Sequence, residues 1–78
     1  MKKYFIRDEA TNELKELEPR DWFESIDFNI NEALYYEELT RSQELRIRRE
    51  VFESQYKKWD FEETINGFTY FIMIQWKK

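Results

Sequence analysis

Between positions 61 and 76 the chain reads F-E-E-T-I, then N-G, then F-T-Y-F-I-M-I-Q-W. Both runs are rich in β-branched and aromatic residues, and Asn-Gly tolerates the two positive φ values of a type I′ turn, so the stretch predicts a β-hairpin, Phe61–Ile65 against Phe68–Trp76. A two-residue turn sets the register, pairing Ile65 with Phe68, Glu63 with Tyr70 and Phe61 with Ile72. One face then carries Phe68, Tyr70, Ile72, Ile74 and Trp76, joined by Phe61 and Ile65, and is assigned to the core. The other face carries Thr64, Thr69, Phe71, Met73 and Gln75. It is only half polar, and so is either partly covered or available to a partner.

Alternation also marks Lys2 to Asp8 as a strand, with Tyr4 and Ile6 on one face and Phe5 on the other. The D-E-A-T-N-E segment turns the chain, and Glu13 to Leu17 is read as a returning strand. Pro19 suits the first position of a short helix of about two turns, where its missing N–H costs nothing. Ile26, Phe28 and Ile30 alternate with Asp27 and Asn29, which predicts a few extended residues.

From Asn31 to about Lys58 there is neither Pro nor Gly, and Asn29 with Glu32 has capping-box character, so the simplest reading is one long helix. At 100° per residue, Leu34, Leu45, Phe52, Tyr56 and Trp59 fall on one side. Ala33, Tyr36, Ile47 and Val51 fall nearly opposite. Two apolar faces on one helix are more than a single sheet covers. Thr40 with Gln43 offers a second capping box, and a bend near Thr40–Ser42 would let each half bury its own face. Strands at both ends with helices between them predict an α+β fold, a small antiparallel sheet packed on the long helix, with residues 1–78 as a single domain.

Composition adds mainly exclusions. Fifteen aromatics in 78 residues, 19%, supply the buried area that disordered chains lack. No apolar run approaches the roughly 20 residues of a membrane span, and Lys2 and Lys3 are not followed by a signal-peptide core. With no cysteine in the chain, the expected location is the cytoplasm. The absence of His removes the commonest general base and transition-metal ligand, and a single Gly excludes glycine-rich phosphate loops. Ser25, Ser42 and Ser54 sit in no recognisable motif, and the adjacent acids Glu37-Glu38 and Glu62-Glu63 point apart rather than converging on an ion. No enzyme, no cofactor and no metal are expected.

The net charge of −4 is unevenly spread. Residues 1–40 hold eleven acids against five bases, whereas residues 41–58 hold six bases against three acids. Acids early and bases late on a helix complement its macrodipole. The same arginines, beside Tyr and Trp, also have the make-up of a protein-binding hot spot. The candidate contact residues are Tyr36, Ile47 and Val51 on the second helix face, the nearby Arg41, Arg48 and Arg49, and the aromatics Trp22 and Tyr35. A pI near 4.9 repels phosphates over most of the surface, so direct nucleic-acid binding is not expected. The favoured function is a non-catalytic protein-protein interaction module. Alternatives are an acidic DNA mimic and a homodimeric structural protein.

In size, acidity, Tyr-, Trp-, Lys- and Glu-rich composition and lack of catalytic motifs, the chain resembles the small proteins with which bacteriophages of Gram-positive hosts bind and inhibit host or defence enzymes. The resemblance is one of style and attaches to no particular residue. It implies a bacterial host protein as partner and a steric mechanism, an apolar patch ringed by charges occluding a working surface.

Overall fold

The computed structural model describes residues 2–56 and 61–74. Its elements are β1 (Lys2–Asp8), β2 (Leu14–Leu17), α1 (Pro19–Tyr35), α2 (Arg41–Glu53), β3 (Phe61–Ile65) and β4 (Phe68–Ile74). The strands form one antiparallel sheet in the order β2-β1-β4-β3, and both helices pack on one of its faces. This is the α+β fold that the pattern predicts. The C-terminal hairpin has the expected register, Ile65 opposite Phe68, Glu63 opposite Tyr70 and Phe61 opposite Ile72. Asn66 and Gly67 both have positive φ, 53° and 82°, as the tight turn requires. The anticipated strand positions Gln75 and Trp76 lie outside the described residues, as do Lys57, Lys58 and Trp59.

The core is a single cluster. Trp22, Ile26, Ile30 and Ala33 of α1 meet Ile47 of α2 and Phe61, Ile65, Tyr70 and Ile72 of the hairpin. Tyr4, Ile6, Leu17 and Phe68 pack partly buried against it. The Trp22 indole is fully buried, with edge-on contacts to Tyr4, Phe23, Phe61 and Tyr70 at 5.0–5.8 Å between ring centres. Its Nε1–H donates to the Phe5 carbonyl at 3.0 Å, so the one polar atom of the indole is satisfied.

Beside it a closed polar network fastens the hairpin to α1. The Ser25 hydroxyl bonds the Tyr70 hydroxyl at 2.9 Å. The Asn29 amide donates to the Ser25 carbonyl at 3.1 Å and to the Tyr70 hydroxyl. From the hairpin turn, the Asn66 amide donates to Asn29 Oδ1 at 2.9 Å. Burial pushes the Tyr70 phenol above the ordinary tyrosine range, so it stays neutral within this network.

The helices differ from the predicted long helix over Asn31–Lys58. α1 is not two turns long but runs 17 residues from Pro19, so Asn31 lies inside it rather than at a start. The extended segment expected at Ile26 to Ile30 is helical. Buried Trp22, Ile26, Ile30 and Ala33 recur at helical spacing, and that longer period overrides the short alternation. The chain breaks between Tyr36 and Thr40. Glu37 adopts φ 58°, the Glu38 N–H bonds the Ala33 carbonyl at 2.8 Å, and the Glu37 N–H bonds the Leu34 carbonyl at 3.1 Å. These are the two bonds of a Schellman stop, with Glu where Gly is usual. The next helix starts at the Thr40–Gln43 capping box, with both reciprocal bonds formed at 2.9 and 3.1 Å. The break therefore lies just before the Thr40–Ser42 region named as the alternative.

Three stability measurements follow by chemical denaturation. Trp22→Ala removes the central ring and is expected to cost about 3–5 kcal/mol, enough to leave much of so small a domain unfolded. Glu37→Gly relieves a left-handed residue at the helix stop and is expected to stabilise by up to about 1 kcal/mol. Tyr70 has a raised folded-state pKa, so its stabilising contribution is complete below the unfolded tyrosine value of about 10 and declines as pH rises through the folded value. Tyr70→Phe should remove that share of the alkaline loss and leave the share of Tyr4, whose phenol burial also pushes up.

Candidate protein-docking surface

α1 and α2 are joined by five residues, 36–40, and form a helical hairpin lying on the sheet. Each helix is amphipathic, so one stripe faces the sheet and the other faces outward. On α2 the inward stripe holds Ile47 with Val51 beside it, and the outward stripe is Leu45, Arg49, Phe52 and, just past the helix, Tyr56. Leu45 is 54% exposed, Phe52 60% and Tyr56 72%. The Phe52 and Tyr56 rings lie 5.5 Å apart. Phe28 and Tyr35 are exposed on the outer side of α1. Large apolar side chains are thus concentrated on the outer side of this one layer.

Between the helices runs an open groove of about 260 Å³. α1 contributes Phe23, Ile26, Asp27 and Ile30, and α2 contributes Arg48, Val51 and Phe52, with Gln55 just past its end. Both sets follow i, i+3, i+4, i+7 spacing, as expected where two helices lie side by side. The apolar floor is sized for one large side chain, and the Phe52 ring stands at its rim.

Across the groove Arg48 ties the helices together. Its Nη1 donates to Asp27 at 2.6 Å, its Nη2 to Asn31 Oδ1 at 2.9 Å, and its Nε to Glu44 at 2.9 Å. These bonds hold the guanidinium more firmly protonated than a free arginine, the Asp27 hydrogen bond contributing most. Glu44 is buried, and Arg41 approaches it from the other side at 3.5 Å. Arg46 joins α2 to the sheet, reaching Glu63 at 2.7 Å and Glu50 at 3.3 Å. The basic segment is therefore partly structural, and of its arginines Arg49 points outward beside the aromatic stripe.

The predicted contact residues separate into three groups. Trp22 and Ile47 are 0% and 2% exposed and cannot meet a partner, because they are the centre of the core. Val51 and Arg48 line the groove. Tyr35, Tyr36, Arg41 and Arg49 are exposed, the two tyrosines edge-on at 5.0 Å next to the helix stop. The apolar face expected to stand open, Tyr36, Ile47 and Val51 with Ala33, mostly turns inward. Of the opposite one, Leu45, Phe52 and Tyr56 are open instead, while Leu34 packs partly buried against the core and Trp59 lies outside the described residues. Phe28 gives no contact signal in the sequence, because the alternation of Ile26 to Ile30 predicts extended chain there.

A second cleft, about 350 Å³, lies between α1 and the β1–β2 hairpin, with Ile6, Leu17, Phe68 and Tyr70 beneath Ser25 and Asn29. Asp8, Glu13 and Lys15 also line it, and the Ser25 hydroxyl is bonded to the Tyr70 phenol rather than to any of these. Among the described residues no cluster of three or more His, Cys, Asp or Glu side chains could hold a metal ion. None of their helices is long and apolar enough to cross a membrane. Comparison with known proteins finds no matching protein family, curated relative or solved structure.

Truncating Arg48 strips a donor from buried Glu44 and severs the link to Asp27. Arg48→Ala is therefore expected to lower stability by about 1–2 kcal/mol, a value discounted for its partial exposure. Arg49→Ala should stay within about 0.5 kcal/mol of wild type, both read from urea denaturation.

Proposed function

We propose that the protein is a non-catalytic protein-interaction module that docks on its target through the outer face of the α1–α2 hairpin. The observation carrying this reading is the row of exposed Leu45, Phe52 and Tyr56 beside an apolar groove, with Arg49 and the Arg48–Asp27 pair around it. Aromatic anchors next to a hole, ringed by charges, are the usual make-up of a binding hot spot. The outer helix face is also the economical place for them. A domain of 78 residues has little apolar surface to spare for its own core, so leaving these side chains in water has a cost that partner binding offsets.

The target in this reading is a bacterial host protein, and the mode of action is occlusion. A rigid two-layer domain covers a groove or assembly surface on an enzyme or regulator and blocks it without chemistry, in the manner of the small phage inhibitors that the chain resembles in composition. Such a module works in the host cytoplasm and needs no cofactor.

The test is affinity capture from nuclease-treated bacterial lysate with tagged full-length chain, run beside Phe52→Arg and Leu45→Arg. Both positions are exposed, so the variants should keep wild-type melting behaviour. The expected result is one stoichiometric, nuclease-resistant partner captured by the wild type and lost from both variants. Capture undiminished by either substitution would remove the helical face as the docking surface.

A further inference from the structure

The face of the sheet turned away from the helices has no helix on it; Phe5 and Phe71 there are half-buried, and at one corner Thr69 is buried and donates to Glu9. Across its middle runs a row set by the strand register: Glu16 on β2, Phe5 on β1, Phe71 on β4 and Glu62 on β3. The two rings stack at 5.3 Å with 18° between their planes, and both acids are exposed. Lys3 and Arg7 lie on the same face, two residues to either side of Phe5 along β1.

We propose that this face binds the same face of a second copy of the chain, with the two sheets crossed at a right angle about a two-fold axis diagonal to the strands. The placement of the charges is the reason. Measured from the midpoint between Phe5 and Phe71, Glu16 and Glu62 lie sideways by one and a half strand spacings, about 7 Å. Lys3 and Arg7 lie along the strand by two residues, also about 7 Å. A quarter turn therefore carries each base onto an acid of the other copy, and the symmetry repeats every pair. Aligned stacking does the opposite. A two-fold parallel to the strands sets Glu16 against Glu62, and one across them sets Lys3 against Arg7. Orthogonal packing is an established way for two sheets to meet. Of the two diagonals, one brings exposed Leu14 against its own symmetry mate, and that choice pairs Lys3 with Glu62 and Arg7 with Glu16. Arg7 also contacts Glu9 of its own chain at 3.2 Å, an exposed pair that competes only weakly.

The face is small, roughly 20 by 20 Å from strand spacing and rise, so the dimer buries about 800 Å² in total. That is below the roughly 1,200 Å² of standard stable complexes and marks a weak, reversible association. It leaves both helical hairpins facing outward, so it is independent of the docking surface proposed above.

The experiment is light scattering and sedimentation of the full chain up to about 1 mM, at low and high salt. A monomer-dimer equilibrium weakened by salt is expected. Lys3→Glu and Glu62→Lys should each weaken it about five- to tenfold, because each exposed pair occurs twice in the dimer. The double variant Lys3→Glu/Glu62→Lys should restore it. Within one chain these two residues are too far apart to pair, so restoration reports contact between copies. Phe71→Arg, checked for folding by circular dichroism, should be monomeric. A wild type that is monomeric throughout overturns the proposal, as does a dimer indifferent to Phe71→Arg or a double variant no better than its parents. A dimer broken by Phe52→Arg would instead place self-association on the helical face.

Discussion

The structure depends on burying the Trp22 indole between α1 and the sheet. Four rings meet it edge-on, from β1, α1, β3 and β4, and its N–H reaches the backbone of β1. An aromatic ring of this size can supply several kcal/mol by burial alone. In a domain so short, that is a large share of the total. Most of the remaining core is arranged around it: Ile26, Ile30 and Ala33 extend the stripe along α1, and Tyr70 continues it into a polar network that fixes the hairpin turn. The first and last strands are brought together as central neighbours, β1 beside β4, under this one side chain.

The second constraint is the stop at Glu37. A left-handed glutamate is a strained choice, and its cost is offset by the two backbone bonds it completes and by the capping box that follows. Ending α1 there decides where α2 lies. At 100° per residue Trp22, Ala33 and Ile47 share one side of an unbroken helix, but Ile47 would then lie about 37 Å along the axis from Trp22, past the end of a sheet whose longest strands are seven residues. The break folds α2 back beside α1 on the sheet, where Ile47 and Val51 turn inward and Leu45, Phe52 and Tyr56 are left outside. The candidate docking surface is thus a consequence of one turn.

The molecule has two uncovered faces of different character. The helical face is uneven, with a hole and protruding aromatics, and suits a partner with an anchor side chain. The sheet face is flatter and ringed by charges of both signs, and its pattern is self-complementary. A two-layer domain covers each layer on one side only, so in a chain rich in aromatics both outer surfaces retain apolar material.

By itself the sequence determined the strands, the hairpin and its register, and therefore which residues of β1, β3 and β4 face the core. Two-residue alternation and Asn66-Gly67 are local signals, and a strand's facing follows from parity alone. The capping box at Thr40 and Gln43 was legible for the same reason. Only tertiary structure decided the helical half. The competing signal at Ile26 to Ile30 is settled by burial against the sheet, and the helix stop is invisible because a Glu does there what Gly or Asn usually announces. The helical period separates two apolar faces but does not mark which of them the sheet covers, and only the packing of α2 beside α1 decides that. Ile47 therefore reads as a contact residue although it is buried, and Trp22 does so because a short helix after Pro19 hides its place in the core stripe of α1. Arg48 reads as a partner contact when it is the clasp between the helices.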